Sequence, residues 1–202
     1  MRILISGATK TVRKYAGHPN LGVLLTPQAG NWIIEDVPYA ADNAAYSNWS
    51  EVKFIRMLDR LTGLSPLWVS APDVVGNAIA TDELFQYWYP KIKQRNLKIA
   101  LVLQNGQESI GLPPSWKYDA VFIGGDDEFK LGGYVRYIIP KVKALGKLVH
   151  MGRVNSLRRL QYAMDIGCDS IDGTGFSRYP DTYIPRALNY LKNPQLSIFE
   201  LF

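Results

Sequence analysis

Residues 98–106 read KIALVLQNG, and residues 119–127 read DAVFIGGDD. Each is a short apolar, β-rich run that stops abruptly at polar or glycine residues. The same pattern recurs at 147–155, KLVHMGRVN, and at 169–178, DSIDGTGFSR. Toward the N-terminus, further β-rich segments fall at 2–6, 22–26, 38–41 and 67–71. With 98–103, 119–123, 147–151 and 169–171 they make about eight candidate strands, the number that closes a parallel barrel.

From the third strand onward, most strands are followed by a stretch of helical periodicity. Residues 50–61 carry Val52, Ile55, Leu58 and Leu61 on one face, with Ser50 as cap and Glu51 in the first turn. Residues 81–95 open with Thr81, Asp82 and Glu83 and close with Lys93 and Arg95, a charge order that suits the helix dipole. Further helices read at 131–145, 155–166 and 183–191. Strands alternating with helices imply a parallel sheet with right-handed crossovers. The expected fold is a compact α/β, TIM-like (β/α)8 barrel forming a single domain over residues 1–202, with short or missing helices in the first units. Those missing helices account for a length below the ~250 residues typical of such barrels. An open doubly wound sheet is the alternative.

The composition, 47% apolar and 20% charged, is that of a folded globular chain and excludes disorder or a fibrous repeat. No apolar run approaches the ~20 residues of a membrane helix. Lys10, Arg13 and Lys14 fall where a signal peptide would still be apolar, so a cytoplasmic location is expected. Cys168 is the only cysteine, and His18 and His150 are the only histidines, which excludes an intrachain disulfide and a thiolate zinc site. The net charge of +5 favours a polyanionic partner.

In parallel α/β folds the functional groups sit beyond the carboxyl ends of the strands. Here those segments are Asp42-Asn43-Ala44-Ala45-Tyr46, Pro72-Asp73-Val74, Gln104-Asn105-Gly106, Gly124-Gly125-Asp126-Asp127, Gly152-Arg153-Val154-Asn155 and Asp172-Gly173-Thr174-Gly175-Phe176-Ser177-Arg178. Taken together, their order and spacing from Asp42 to Arg178 resemble the tRNA-guanine transglycosylases and their DNA-acting 7-deazaguanine relatives. The resemblance implies a barrel enzyme that breaks a base-to-sugar bond. It implies Asp172 as nucleophile, within Gly167-Cys168-Asp169-Ser170-Ile171-Asp172, and Asp42 as general acid/base. It further implies Asp73 and Gln104 as readers of the base edge, and Gly124 and Gly125 as a turn whose backbone touches the base. The family's zinc ligands and added RNA-binding regions have no counterpart, so no metal or cofactor is expected and DNA is favoured over tRNA as partner.

The chemistry of the residues agrees with this outline. Cleaving an N-glycosidic bond develops oxocarbenium-like charge, which one carboxylate can stabilise or attack while a second handles protons. The target base must be flipped from its stack into a pocket, for which Tyr46, Phe176 and Tyr179 offer walls. Arg153, Asn155 and Arg178 follow the last two strands, where barrels often hold phosphate. Plainer readings stand beside these. Asp126 and Asp127 read as helix caps, Gly124 and Gly125 as turn formers, His150 as a packed barrel residue and Cys168 as a small apolar one. The leading functional expectation is a DNA glycosylase that excises a modified base, a chemistry suited to defence against phage DNA carrying such bases. The alternatives are a guanine/7-deazaguanine transglycosylase and a non-catalytic nucleic-acid-binding barrel.

Overall fold

The structure is a computed structural model that describes residues 1–7, 9–29, 33–47 and 49–193. Eight parallel strands follow in chain order around a closed barrel: β1 (Arg2–Ile5), β2 (Leu21–Leu25), β3 (Tyr39–Ala41), β4 (Val69–Ser70), β5 (Ile99–Leu103), β6 (Ala120–Ile123), β7 (Leu148–Met151) and β8 (Ser170–Ile171). Closure comes from β1 pairing with β8, Arg2 opposite Ser170 and Ile3 opposite Ile171. The chain is therefore a (β/α)8 barrel, and the open doubly wound alternative falls. The helices are α1 (Thr9–Lys14), α2 (Glu51–Leu61), α3 (Ala78–Lys93), α4 (Gln107–Ile110), α5 (Asp127–Leu131), α6 (Gly133–Ala144), α7 (Leu157–Asp165), α8 (Thr174–Arg178) and α9 (Pro180–Lys192). The first unit has only the short α1, and among the described residues none lies between β2 and β3, as the compact length requires. No described helix is long and apolar enough to cross a membrane.

Successive strand side chains alternate faces, and here the alternation has one parity throughout. Odd-numbered positions such as Ile3, Val23, Val69, Leu101, Val121, Val149 and Ile171 join the large core between sheet and helices. Even-numbered positions, Leu4, Leu24, Ala40, Trp68, Ala100 and Ala120 with Phe122 and Leu148, fill a second core inside the barrel. The inner set is rich in alanine because Trp68 and Phe122, edge to face at 5.7 Å, occupy much of the space.

Local chemistry sets the helix boundaries, in places differently from the sequence expectation. Helix α2 starts behind Ser50, whose side chain accepts from the Lys53 N–H. Its buried face is Phe54, Met57, Leu58 and Leu61, while Val52 is exposed. The face rotates because Phe54 packs edge to face on Trp88 at 5.1 Å and against Trp49 at 5.3 Å, burying more apolar area than Val52 could. Helix α3 begins at Ala78 rather than Thr81, since Asn77 is an equally good cap and accepts from the Ala80 N–H at 3.0 Å. The helix expected over 131–145 is α6, starting at Gly133, and a further short helix, α5, precedes it and ends at Gly132. Asp126 caps α5 by accepting from the Phe129 N–H at 2.8 Å.

Gly22 lies on the inner face, where an added Cβ would meet Leu4 Cδ2 at 2.6 Å and the Pro38 carbonyl oxygen at 2.8 Å. Gly22→Ala should therefore overpack the barrel interior and cost ~1–3 kcal/mol, measurable as a lowered denaturant midpoint. An unchanged midpoint would mean that the inner core is not close-packed.

Candidate active site

The inward parity continues past the strand ends. Asp42 lies two residues beyond Ala40, Gln104 beyond Val102, Gly124 beyond Phe122, Gly152 beyond His150 and Asp172 beyond Ser170. All five extensions line one cavity of about 250 Å³ at the mouth, with Val102 and Phe122 also in its wall. Asn43, Tyr46, Asp73, Gly125, Lys130 and Arg153 line it as well. The sequence-assigned Asp42, Asp73, Asp172, Gln104, Gly124, Gly125, Tyr46 and Arg153 are thus brought together. A larger groove of about 540 Å³ adjoins it, sharing Ala45, Tyr46, Asp73 and Val75 and walled by Trp49, Tyr87 and Trp88.

Asp172 is held from two sides. His150 Nε2 lies 3.0 Å from Oδ2, and the Arg153 N–H donates to Oδ1 at 3.1 Å. The His150 ring is wholly buried, 4.9 Å from Trp68 and 4.6 Å from Phe122, and its Nδ1 lies 2.9 Å from Ser170 Oγ. With Asp172 ionised, Nε2 carries the proton directed at Oδ2, and Nδ1 stands within hydrogen-bonding range of the serine hydroxyl. His150 is therefore more than a packed barrel residue, because it orients the carboxylate. Arg153 adopts a left-handed backbone conformation, φ 61°, and Ala44 likewise at φ 60°. Such strain in non-glycine residues concentrates at functional sites, and here it accompanies the aim of the Arg153 N–H at Asp172.

The two candidate catalytic carboxyls are driven in opposite directions. Burial acts to raise the Asp172 pKa, but the hydrogen bond and attraction of His150, the Arg153 N–H and the Lys130 charge together bring it below the ordinary value. Asp42 is pushed up to about 7, first by burial, then by the negative charges of Asp172 and Asp73, against a hydrogen bond from Ser70 Oγ at 3.1 Å. Asp73 is raised as well, chiefly by burial, with Asn43 and Gln104 working against the shift.

Asp73 and Gln104 belong to one network. Asn43 Nδ2 donates to Asp73 Oδ1 at 2.8 Å, and Gln104 Nε2 donates to Asp73 Oδ2 at 2.7 Å. Gln104 Oε1 accepts from the N–H groups of Gly76 at 2.9 Å and Gly125 at 2.8 Å. The Gly125 carbonyl accepts from the Arg153 guanidinium, so both backbone polar groups of Gly125 are engaged within the protein. Close packing accounts for the glycine pair: a Cβ at Gly124 would lie 2.7 Å from Gln104 Nε2, and Gly125 has φ +72° with Phe129 2.6 Å from its added Cβ.

Four residues assigned from the sequence fall elsewhere. Phe176 is buried against Tyr183, edge to face at 6.2 Å, and lines a separate cavity of about 110 Å³ together with Asn155. Asn155 Oδ1 accepts from Thr174 Oγ1 at 3.2 Å, tying two mouth loops together. Arg178 is exposed in the last turn of α8 and does not line the main cavity. Tyr179 is exposed and stacks on Tyr183 at 6.1 Å. The wall role expected of Phe176 at the Asp172 cavity is corrected accordingly, since its ring packs from α8 onto Tyr183, and Asn155 and Arg178 lie outside the lining of that cavity. Cys168 is buried with its thiol pushed up to about 12, chiefly by burial, an unreactive apolar filler.

Lys130 was not legible as a site residue. It is 4% exposed, lines the cavity and donates from Nζ to the Gly152 carbonyl at 2.8 Å. Ser70 and Ser170 carried a weak signal, as polar residues at inward strand positions.

Compared with known proteins, the chain matches no family model and no curated protein. Among solved structures it is similar to the PaMucR phosphodiesterase in its c-di-GMP complex, with 12% identity and a TM-score of 0.43 over 84% of this chain. The chain spans 66% of the length of that structure.

The raised Asp42 has a consequence for stability. Its folded-state pKa of about 7 lies above the ~3.9 of an unfolded aspartate, so folding favours the protonated form. That contribution is present below pH ~4 and is lost as pH rises through about 7. Asp42→Asn should accordingly melt higher than wild type at pH 8, by on the order of 5 °C, and close to it at pH 4. Thermal scans at both pH values check this, and an equal shift at both would show that charge is not the cause.

Proposed function

We propose that the protein cleaves the N-glycosidic bond of a base in nucleic acid and releases the free base, acting on DNA that carries a modified base. The observation that carries this reading is the opposite tuning of two carboxyls on one small cavity. Asp172 is kept ionised, as needed beside an anomeric carbon gaining positive charge. Asp42, raised to about 7, is poised to give or take a proton near neutral pH. Pairs of titratable groups whose environments push their pKa values apart mark acid and base assignments. The cavity of about 250 Å³ lies just below the ~300–1,000 Å³ of ordinary small-molecule sites, a size that suits one extruded base. Tyr46 supplies an exposed aromatic face at its rim, with the Arg153 guanidinium 4.6 Å from the ring centroid. Excision of such bases would serve defence against phage DNA.

In this reading Asp172 attacks or stabilises C1′ of the sugar, His150 holds the carboxylate in position, and Asp42 manages the proton on the leaving base or incoming water. Asp73 meets the base edge. Each of its oxygens accepts a side-chain hydrogen bond, and the second lone pair of a carboxylate oxygen gives acceptor capacity for base N–H groups. That feature also favours a second reading, exchange of guanine for a 7-deazaguanine. A labelled free deazaguanine would be incorporated into DNA by an exchange enzyme and ignored by an excision enzyme.

Asp172→Asn keeps the side-chain volume and an oxygen to accept from His150, but removes the charge. It should lower base release by roughly 10³-fold or more while leaving DNA binding in place. Mass spectrometry of bases freed from natural and hypermodified DNAs supplies the measurement. Wild-type protein that frees no base from any of them, or an Asp172→Asn variant as active as wild type, would defeat the proposal.

A further inference from the structure

Lys130 is an unusual cation. Lys14, Lys93 and Lys143 each reach an aspartate oxygen, at 2.9, 3.2 and 2.6 Å, and each is at least a third exposed. Lys130 is buried, and among the described residues no carboxylate oxygen lies within ion-pair range of its Nζ. Its Nζ donates to the Gly152 carbonyl, although an ammonium carries three donors. Burying a charge without a directly paired counter-ion is expensive, and the amine answers by releasing its proton more readily.

The charges around it are mixed. Burial first and Arg153 second bring the Lys130 pKa down to about 8, with Arg159 adding a little, while Asp172 and Asp127 act the other way. Arg159 and Asp127 are themselves ion-paired, which leaves Arg153 and Asp172 as the main charged neighbours. A substantial share of the amine is therefore neutral and nucleophilic in the mildly alkaline range.

Position supplies the rest. Gly152 joins the amine to the proposed nucleophile: its carbonyl accepts from Lys130 Nζ, and a Cβ placed on it would lie 3.4 Å from Asp172 Oδ2. Both groups face the same cavity. An amine lining the same cavity as the carboxylate assigned to C1′ is placed to meet whatever remains at C1′ once the base has left. When water completes the excision, the remaining sugar opens to an aldehyde at that carbon.

We propose that Lys130 is a second nucleophile of this mouth, forming an imine with the C1′ aldehyde of the abasic sugar and thereby cleaving the DNA strand. This rests on the base-excision reading. The Nζ lone pair adds to the aldehyde carbon, and loss of water leaves a protonated imine. A carboxylate at the mouth, Asp42, takes a proton from C2′. The electrons of that C–H bond form the C2′–C3′ double bond, and the C3′–O bond breaks to expel the 3′ phosphate as the leaving group. Water then hydrolyses the imine, returning the lysine and an unsaturated aldehyde. No oxidant, reductant or metal enters the balance.

The test uses the full chain and a synthetic oligonucleotide with one pre-formed aldehydic abasic site, so that base release is not required. With borohydride present, hydride reduces the imine and should leave a stable protein–DNA adduct, which peptide mass spectrometry should map to Lys130. Without borohydride the oligonucleotide should be cut at the abasic site. Lys130→Arg and Lys130→Gln should lose both adduct and cutting while melting near wild type. Absence of an adduct, or an adduct mapped to another lysine or to the N-terminal amine, overturns the proposal, and the wild-type mapping decides even if both variants fold poorly. Free-base release without an adduct removes the role of Lys130 alone. An adduct at Lys130 with no base released from any DNA removes the excision reading alone.

Discussion

Every strand of this barrel turns its even-numbered residues inward, and that single parity governs both the core and the mouth. Within the sheet it demands small residues, Ala40, Ala100 and Ala120, around Trp68 and Phe122. One step further along five of the strands, β3, β5, β6, β7 and β8, it aims Asp42, Gln104, Gly124, Gly152 and Asp172 at a common axis. A barrel has no freedom to point one of these outward without a bulge, since a one-residue slip would also eject the apolar positions below. The site is thus a continuation of the core packing.

Crowding charges onto one axis has electrostatic consequences. Three aspartates share a partly desolvated space, and they do not titrate alike because their partners differ. Asp172 has a buried imidazole beneath it and a backbone N–H beside it. Asp42 accepts from the Ser70 hydroxyl and feels the two other carboxylates. Asp73 is braced by two side-chain amides. Like residues in unlike settings can then hold unlike roles, one permanently charged, one exchanging protons, one presenting acceptors.

The support beneath the mouth is as important as the mouth. His150 is wedged between Trp68 and Phe122 with both ring nitrogens in hydrogen-bonding range of neighbours, so the orientation of Asp172 is locked by aromatic packing. The network from Ser70 through Asn43 and Asp73 to Gln104 couples three strand ends, for Ser70 Oγ also accepts from the Asn43 N–H at 2.8 Å. Lys130 enters from a different direction, off the short helix α5 rather than off a strand, and meets this assembly at Gly152.

The sequence by itself determined a parallel α/β fold of about eight strands, and the pairing of β1 with β8 in the tertiary structure decided for the closed barrel over an open sheet. Eight β-rich runs alternating with helical stretches admit few parallel topologies, and the polar residues after each run marked the mouth because strand ends are where a parallel barrel exposes its backbone. Local rules also placed the Ser50 and Asp126 caps, since a cap depends on groups within three residues. Whatever depends on partners distant in sequence was decided only by the tertiary structure. The rotation of α2 came from Trp88 meeting Phe54, and the role of His150 from Asp172 lying 22 residues away. The packing of Phe176 onto Tyr183 followed from α8, which no short motif announced. Lys130 is the sharpest case. A lysine between Phe129 and Leu131 reads as a solvated charge, because burial and a lowered pKa are properties of its surroundings, and those surroundings are assembled from β7, its following loop and β8 only when the barrel closes.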